Sequence, residues 1–209
     1  MEISYKPGKM NKIHISIDGE YKYTVDAEYW YSCPWHGINI IDDPQKQTEF
    51  FKDIGSRYAF ISGLRLLSYG DNSRKALRRK LVTKGHVPEY TDIALDKLEE
   101  YGYINDKRFS RSLRDKLINS KHMGKYAIKQ ELLRRGVDRA IIDDVLEEVE
   151  FDSVESIITL LNTKYAKCLN DEKGRRKTVA GLQRLGYNWS DIKTALSRVG
   201  SEREEFSDD

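Results

Sequence analysis

Cysteine is scarce in this chain, which holds only Cys33 and Cys168, far apart and in unrelated surroundings. Two thiols cannot build the disulfide framework of a small secreted domain, and free thiols are expected. Long apolar runs are missing as well, for no stretch approaches the roughly 18 residues that span a bilayer. The opening residues "MEISYKPGKMNKIHISIDG" have neither the apolar core nor the small-residue cleavage site of a secretory leader, so a cytoplasmic location is expected. No G-x-x-x-x-G-K-[ST], H-E-x-x-H or G-x-S-x-G occurs, and the chain is not expected to be an enzyme. Cys33-Pro34-Trp35-His36 offers half of a zinc site, but no second Cys/His pair closes it, and His14, His86 and His122 share no spacing. Those three histidines read as solvent or capping residues, and neither a metal nor another cofactor is expected.

Net charge is also nearly absent, at +2, yet it is unevenly spread. Residues 1–58 carry 7 basic and 9 acidic side chains, 59–150 carry 19 and 15, and 151–209 carry 10 and 10, so the cationic surplus lies in the middle. With 39% hydrophobic and 33% charged residues, the chain has material for thin cores and much surface, which suits a repeat better than a ball.

What is present begins with β patterning. Ile13, Ile15 and Ile17 alternate with polar residues, as do Tyr21, Tyr23 and Val25, and Asp18-Gly19 lies between the two runs. Both turn residues tolerate the positive φ of a type I′ turn, so a β-hairpin is expected. A lone hairpin is marginal in water. Tyr29, Trp30, Tyr31 and Trp35 are the expected cement, with base stacking as the other use of such a cluster. Asp43-Pro44 then opens a linker helix, "PQKQTEFFKDI", with Asp43 as N-cap.

Beyond Arg57 three stretches align by a plain offset. Gly85, Gly136 and Gly186 are each preceded by a leucine four residues earlier (Leu81, Leu132, Leu182) and followed 13 residues later by an apolar residue (Leu98, Val149, Val199). A period of about 50 marks internal repeats. Each copy reads as three helices. The first are "YAFISGLRLLSYG", "KRFSRSLRDKLIN" and "SVESIITLLNTKYAKCL"; the second ends at the shared glycine; the third starts from Pro88, Asp138 or Asn188. Asn188 with Asp191 makes an approximate capping box. Helices of 10–15 residues do not persist alone, so stability must come from stacking. The expected fold is mainly α: tandem three-helix, helix-turn-helix-like repeats in an elongated array with a small N-terminal β-hairpin extension. The segments are 1–56 (hairpin, aromatic segment and linker helix), 57–104, 105–150 and 151–200 (repeats one to three), and 201–209 (a disordered acidic tail).

Charge is partitioned between the helices. The second helix of copy one carries Arg74, Lys75, Arg78, Arg79, Lys80 and Lys84 with no acid. Copy two offers Arg108, Arg111 and Arg114, then Lys121, Lys125, Lys129, Arg134 and Arg135. Copy three has Lys173, Arg175, Arg176, Lys177 and Arg184, while the third helices of copies one and two are acidic. Residues 74 and 78, like 75 and 79, lie one turn apart and form two cationic rows. These rows can face an anionic partner, or can simply pair with the acidic helix beside them. Recurrence in every copy favours a binding surface.

Particular motifs sharpen this. "GKYAIKQELLRRGV" (Gly124 to Val137) resembles the G-x-x-x-I-x-x-E-L-x-x-K-G-I signature of the RecX family of recombination regulators. "EEYGYINDKRF" (Glu99 to Phe109) resembles that family's junction between its first two repeats, and "LRLLSYGDNSRKALRRKL" the start of its first. Arg135 and Val137 stand where Lys and Ile are usual, Ala76 where Glu is frequent, and Asp71-Asn72 where Arg-Pro is usual; the third copy is the most diverged. The resemblance covers about 57–200. It implies tandem three-helix repeats without catalytic residues that bind the RecA filament, lodge in its groove on single-stranded DNA and stop its extension. RecA's ATPase, strand exchange and co-protease activity would fall, which modulates recombination, repair and the SOS response. The partners so implied are the RecA filament and single-stranded DNA, with double-stranded DNA as a further expectation, and no membrane; the protein itself is expected to be a monomer. The fourteen basic residues named for copies one and two are the expected contact face. A stand-alone DNA- or RNA-binding module of helix-turn-helix-like repeats is the competing reading.

Overall fold

The computed structural model describes residues 1–205, with side chains described through residue 200. It falls into two compact units, Met1–Asn105 and the chain from Asp106 onward.

In the first unit, β1 (Ile3–Pro7), β2 (Lys12–Ile17) and β3 (Glu20–Asp26) form an antiparallel sheet in that order. Asp18 and Gly19 sit at φ 49° and 82° in the β2–β3 turn, as a type I′ turn requires. The expected hairpin is thus the inner part of a three-stranded sheet. β1 pairs Ile3 with Ile17 and Tyr5 with Ile15, but it escapes a reading by alternation because only Ile3 of its five residues is buried. The sheet presents Ile13, Ile15, Ile17 and Val25 to a core closed by Trp30 of α1 (Ala27–Ser32), by Trp35, and by Phe50 and Ile54 of α2 (Pro44–Ser68). Trp30 and Trp35 are cement as expected. Tyr31 is not: it stands half exposed against His36.

Helix α2 is 25 residues long, about 37 Å at 1.5 Å per residue. The expected linker helix and the first helix of repeat one are therefore one element. Asp43 caps it through Gln45 N–H, with Pro44 in its first turn. Its C-terminal half brings Ala59, Phe60 and Gly63 against α3 (Arg74–Thr83) and α4 (Pro88–Glu100), around Leu77, Leu81, Leu95 and Leu98. Gly63 admits α4 closely, since a Cβ there would lie 2.7 Å from Leu98 Cδ1. Between the two halves of α2, Arg57 pairs with Asp26 at 2.8 Å and its guanidinium lies 4.9 Å and 5.0 Å from the Tyr29 and Phe60 ring centres.

The second unit holds α5 (Asp106–Lys121), α6 (Lys125–Arg134) and α7 (Arg139–Glu147), then α8 (Ser153–Asn162), α9 (Glu172–Arg184) and α10 (Trp189–Glu205). The first helix expected in repeat three is broken: α8 stops at Asn162, the Tyr165 N–H turns back to the Leu160 carbonyl, and Ala166–Cys168 form a 3-10 turn. Asn162 and Thr163 are weak helix formers, which fits a stop there. Half of the expected capping box forms: the Asn188 side chain accepts from Asp191 N–H, but the Asp191 carboxylate takes its bond from the Asn188 side-chain amide and not from the backbone N–H. Helix α10 continues to Glu205, past the expected start of the tail; the rest of that tail, 206–209, lies outside the described residues.

The three aligned glycines are one device. Gly85, Gly136 and Gly186 have φ of 90°, 84° and 90°. At each, the glycine N–H bonds the carbonyl three residues back, and the next N–H bonds that of the aligned leucine: His86 to Leu81, Val137 to Leu132, Tyr187 to Leu182. This is the Schellman motif, in which glycine escapes the left-handed Cβ penalty and the following side chain covers the last turn. His86, Val137 and Tyr187 are accordingly buried, so His86 is a covering residue and not a solvent one.

Candidate binding interface

The two cationic rows of α3 have different fates. The inner row is tied to α4. Arg74 donates to Asp96 at 2.5 Å and Glu99 at 2.8 Å, and Arg78 grips both oxygens of Asp92 at 2.6 and 2.8 Å. The hydrogen bond from Arg78 holds the Asp92 carboxyl below its ordinary range. Lys80 donates to Asn72. The outer row, Lys75 and Arg79, is exposed, as is Lys84. Among the described residues none of these three has a carboxylate within 4.0 Å.

Repeat two repeats the tie to the following helix. Lys129 donates to Asp143 at 2.5 Å, and Arg134 and Arg135 both hold Glu131, pulling its carboxyl down to about 2, chiefly through the hydrogen bond from Arg134. From α5, Lys107 reaches Asp144 and Arg111 grips both oxygens of Glu148, whose carboxyl is drawn to about 2 by that contact first. Lys125 lies over the Phe151 ring, while Arg108 and Lys121 are exposed. In repeat three Arg175 donates to the Leu169 carbonyl and Arg176 pairs with Glu172.

Arg114 departs from the expected face. It is only 7% exposed, and its Nη1 donates to the Val145 carbonyl at 2.7 Å, with Asp115 and Glu148 beside it. The Val145 carbonyl belongs to the last turn of α7, where no intrahelical N–H remains to meet it. Arg114 is thus an internal cap. Its signal was legible, since Ser110, Arg114 and Leu117 are spaced as one buried helical stripe.

The paired cations still shape the surface. Exposed ion pairs contribute only about 0–1 kcal/mol each, so their main effect is to fix guanidinium positions and cancel charge locally. Of the expected face, Lys75, Arg79, Lys84 and Lys121 are exposed with no carboxylate within 4.0 Å among the described residues, and Arg108 is exposed as well. Sequence reasoning missed the exposed aromatics of the repeats: Tyr69 at 77% in the first unit, and Tyr126 at 67% and Trp189 at 56% in the second. Among the described residues no helix is long and apolar enough to cross a membrane.

Comparison with known proteins agrees with this architecture. Residues 59–98 match the family description "RecX, first three-helix domain", and 105–146 match "RecX, second three-helix domain". The chain is similar to the regulatory protein RecX of Caldanaerobacter subterraneus subsp. tengcongensis, 30% identical over 92% of this chain and 95% of that one. It is 35% identical to the regulatory protein RecX of Trichlorobacter lovleyi over 61% of this chain and 86% of the relative. A crystal structure of a regulatory protein RecX, 21% identical, superimposes with a TM-score of 0.66 over 94% of this chain and 98% of the other, which shows a shared fold.

Proposed function

The chain belongs to the RecX family, and from that premise we propose that it binds the filament of the RecA recombinase in the cytoplasm and checks its extension. RecA's ATPase, strand exchange and co-protease activity fall in consequence. The observation that supports this best is the second helix of the first repeat, where Arg74 and Arg78 are tied to α4 while Lys75 and Arg79 face outward, with Lys129 of α6 tied to α7 in the same way. The ties from Arg74 and Arg78 fix α3 against α4, so Lys75 and Arg79 are presented from a helix that is already in place. Lys75, Arg79 and Lys84 are the proposed contacts of the first unit, and Arg108, Lys121, Lys125, Arg134 and Arg135 those of the second.

The test is ATP hydrolysis by RecA on single-stranded DNA, titrated with this protein. Inhibition by the wild type that weakens in a Lys75→Ala/Arg79→Ala variant is the expected result. No effect at molar excess would sink the reading. A stand-alone nucleic-acid binder is the second reading, favoured by the unpaired outer row. It requires affinity without RecA whose logarithm falls with that of salt by about 0.7 per neutralised phosphate on a single strand.

A further inference from the structure

In the first unit a cavity of about 360 Å³ opens between the C-terminal half of α2 and the α3–α4 turn. Its volume lies within the ~300–1,000 Å³ of small-molecule sites. Tyr58, Ser62, Arg65 and Tyr69 line it from α2, and Lys84 and His86 from the turn. No carboxylate lines it, and among the described residues neither Arg65 nor Lys84 has an acidic partner within 4.0 Å.

We propose that this cavity binds a nucleotide, with Arg65 and Lys84 on the phosphate and the base against Tyr69. Charge sets the sign of the ligand. Tyr69 and Lys84 are the C-cap residues of α2 and α3, and each helix end contributes roughly half a negative charge. Two full cations outweigh that, so the cavity stays positive and takes an anion.

The aromatic walls select what the anion is attached to. Tyr69 is 77% exposed, a large apolar face held in water beside the two cations. Tyr58 and His86 hold each other in the wall, with ring centres 4.7 Å apart. A nucleobase can stack on such a face whatever its identity, whereas a carboxylate or bare phosphate leaves it unused. Burial lowers the proton affinity of His86, so at neutral pH its imidazole carries both a donor and an acceptor, and the Ser62 hydroxyl adds another pair. The site lies outside the face proposed for RecA except at Lys84, and it does not depend on RecA.

The ligand can come as a free nucleotide or as one unit of a single strand. Fluorescence anisotropy of the full chain with a labelled oligothymidylate, competed by dTMP, inorganic phosphate or phosphotyrosine, separates these without RecA in the assay. Wild type is expected to bind the strand. Tyr69→Ala should weaken it roughly 5- to 150-fold, the range for loss of one stacked base, with Tyr69→Phe close to wild type. Lys84→Ala should lower the salt slope by about 0.7. Competition by dTMP above phosphate and phosphotyrosine shows that a free nucleotide suffices, and supports the site; Tyr69-dependent strand binding that none of the three competes supports it with a strand unit as the ligand. The assignment is overturned if neither strand nor dTMP binds, if Tyr69→Ala and Arg65→Ala/Lys84→Ala bind like wild type, or if phosphotyrosine or phosphate competes as well as dTMP. None of these results bears on RecA inhibition, so the two proposals fail separately.

Discussion

Arg78 and Asp92 clasp each other across the α3–α4 turn, one seven residues before Gly85 and the other seven after it. Lys129 and Asp143 stand in the same relation to Gly136. Around Gly186 the corresponding residues are Val179 and Lys193, so the third repeat has no such pair. The pairs also mask charge, and that has a measurable outcome. A double Asp92→Asn/Asp143→Asn variant should lose less than about 2 kcal/mol of stability, at most about 1 for each exposed pair. Released from their carboxylates, Arg78 and Lys129 should raise affinity for single-stranded DNA and steepen its salt dependence. Urea denaturation and salt-titrated binding check the two halves; unchanged binding would show that these cations do not meet phosphate.

The buried Arg114 predicts the opposite balance. Arg114→Ala strips the Val145 carbonyl of its donor and leaves Glu148 with one guanidinium instead of two. Leaving a buried polar group unmet costs about 1–3 kcal/mol. A fall of that size in the urea-derived stability is expected, far above that for the exposed Arg79→Ala.

Two cap glycines form a controlled pair. Gly85 and Gly186 share a φ of 90°, but a Cβ at Gly85 meets nothing within 4 Å, while at Gly186 it lies 2.5 Å from Ala127 N and Cβ. Gly85→Ala should cost about 1–2 kcal/mol, the left-handed penalty alone. Gly186→Ala should cost clearly more, because Gly186 also touches repeat two, where the Leu185 carbonyl accepts from Gly124 N–H. Thermal or urea unfolding of the two variants decides; equal losses would mean that the Ala127 contact relaxes freely.

Acid response follows from Glu131 and Glu148. Both have folded values of about 2 against 4.5 for an ordinary glutamate. A depressed value means that the charged form is favoured by folding, so the stabilisation is complete above pH 4.5 and fades as pH falls toward 2. Urea midpoints should drop across that window, and a Glu131→Gln/Glu148→Gln variant should show a shallower drop.

The parts legible in the sequence are those where one residue type has one physical use. Glycine four residues after a buried leucine marked each helix end, because only glycine takes the left-handed cap without strain. The Asp18-Gly19 turn was readable for the same reason. The length of α2 was not, since Phe50 and Ile54 face the sheet core while Ala59, Phe60 and Gly63 face α3 and α4, and the change of partner blurs a single apolar stripe. At the candidate site, which arginines are clasped and which are outward depends on the facing helix. A count of positive charges cannot show that, though the seven-before, seven-after pairing with aspartate could have.

Helix α2 has a consequence for how the first unit comes apart. Its two halves belong to different cores, but a helix frays or melts along its hydrogen-bond ladder, and the Arg57–Asp26 pair spans the join. The sheet and the first repeat therefore have no seam at which one can open while the other stays closed. Amide exchange in β2 and in α4 should slow together and be released together, as a single cooperative block.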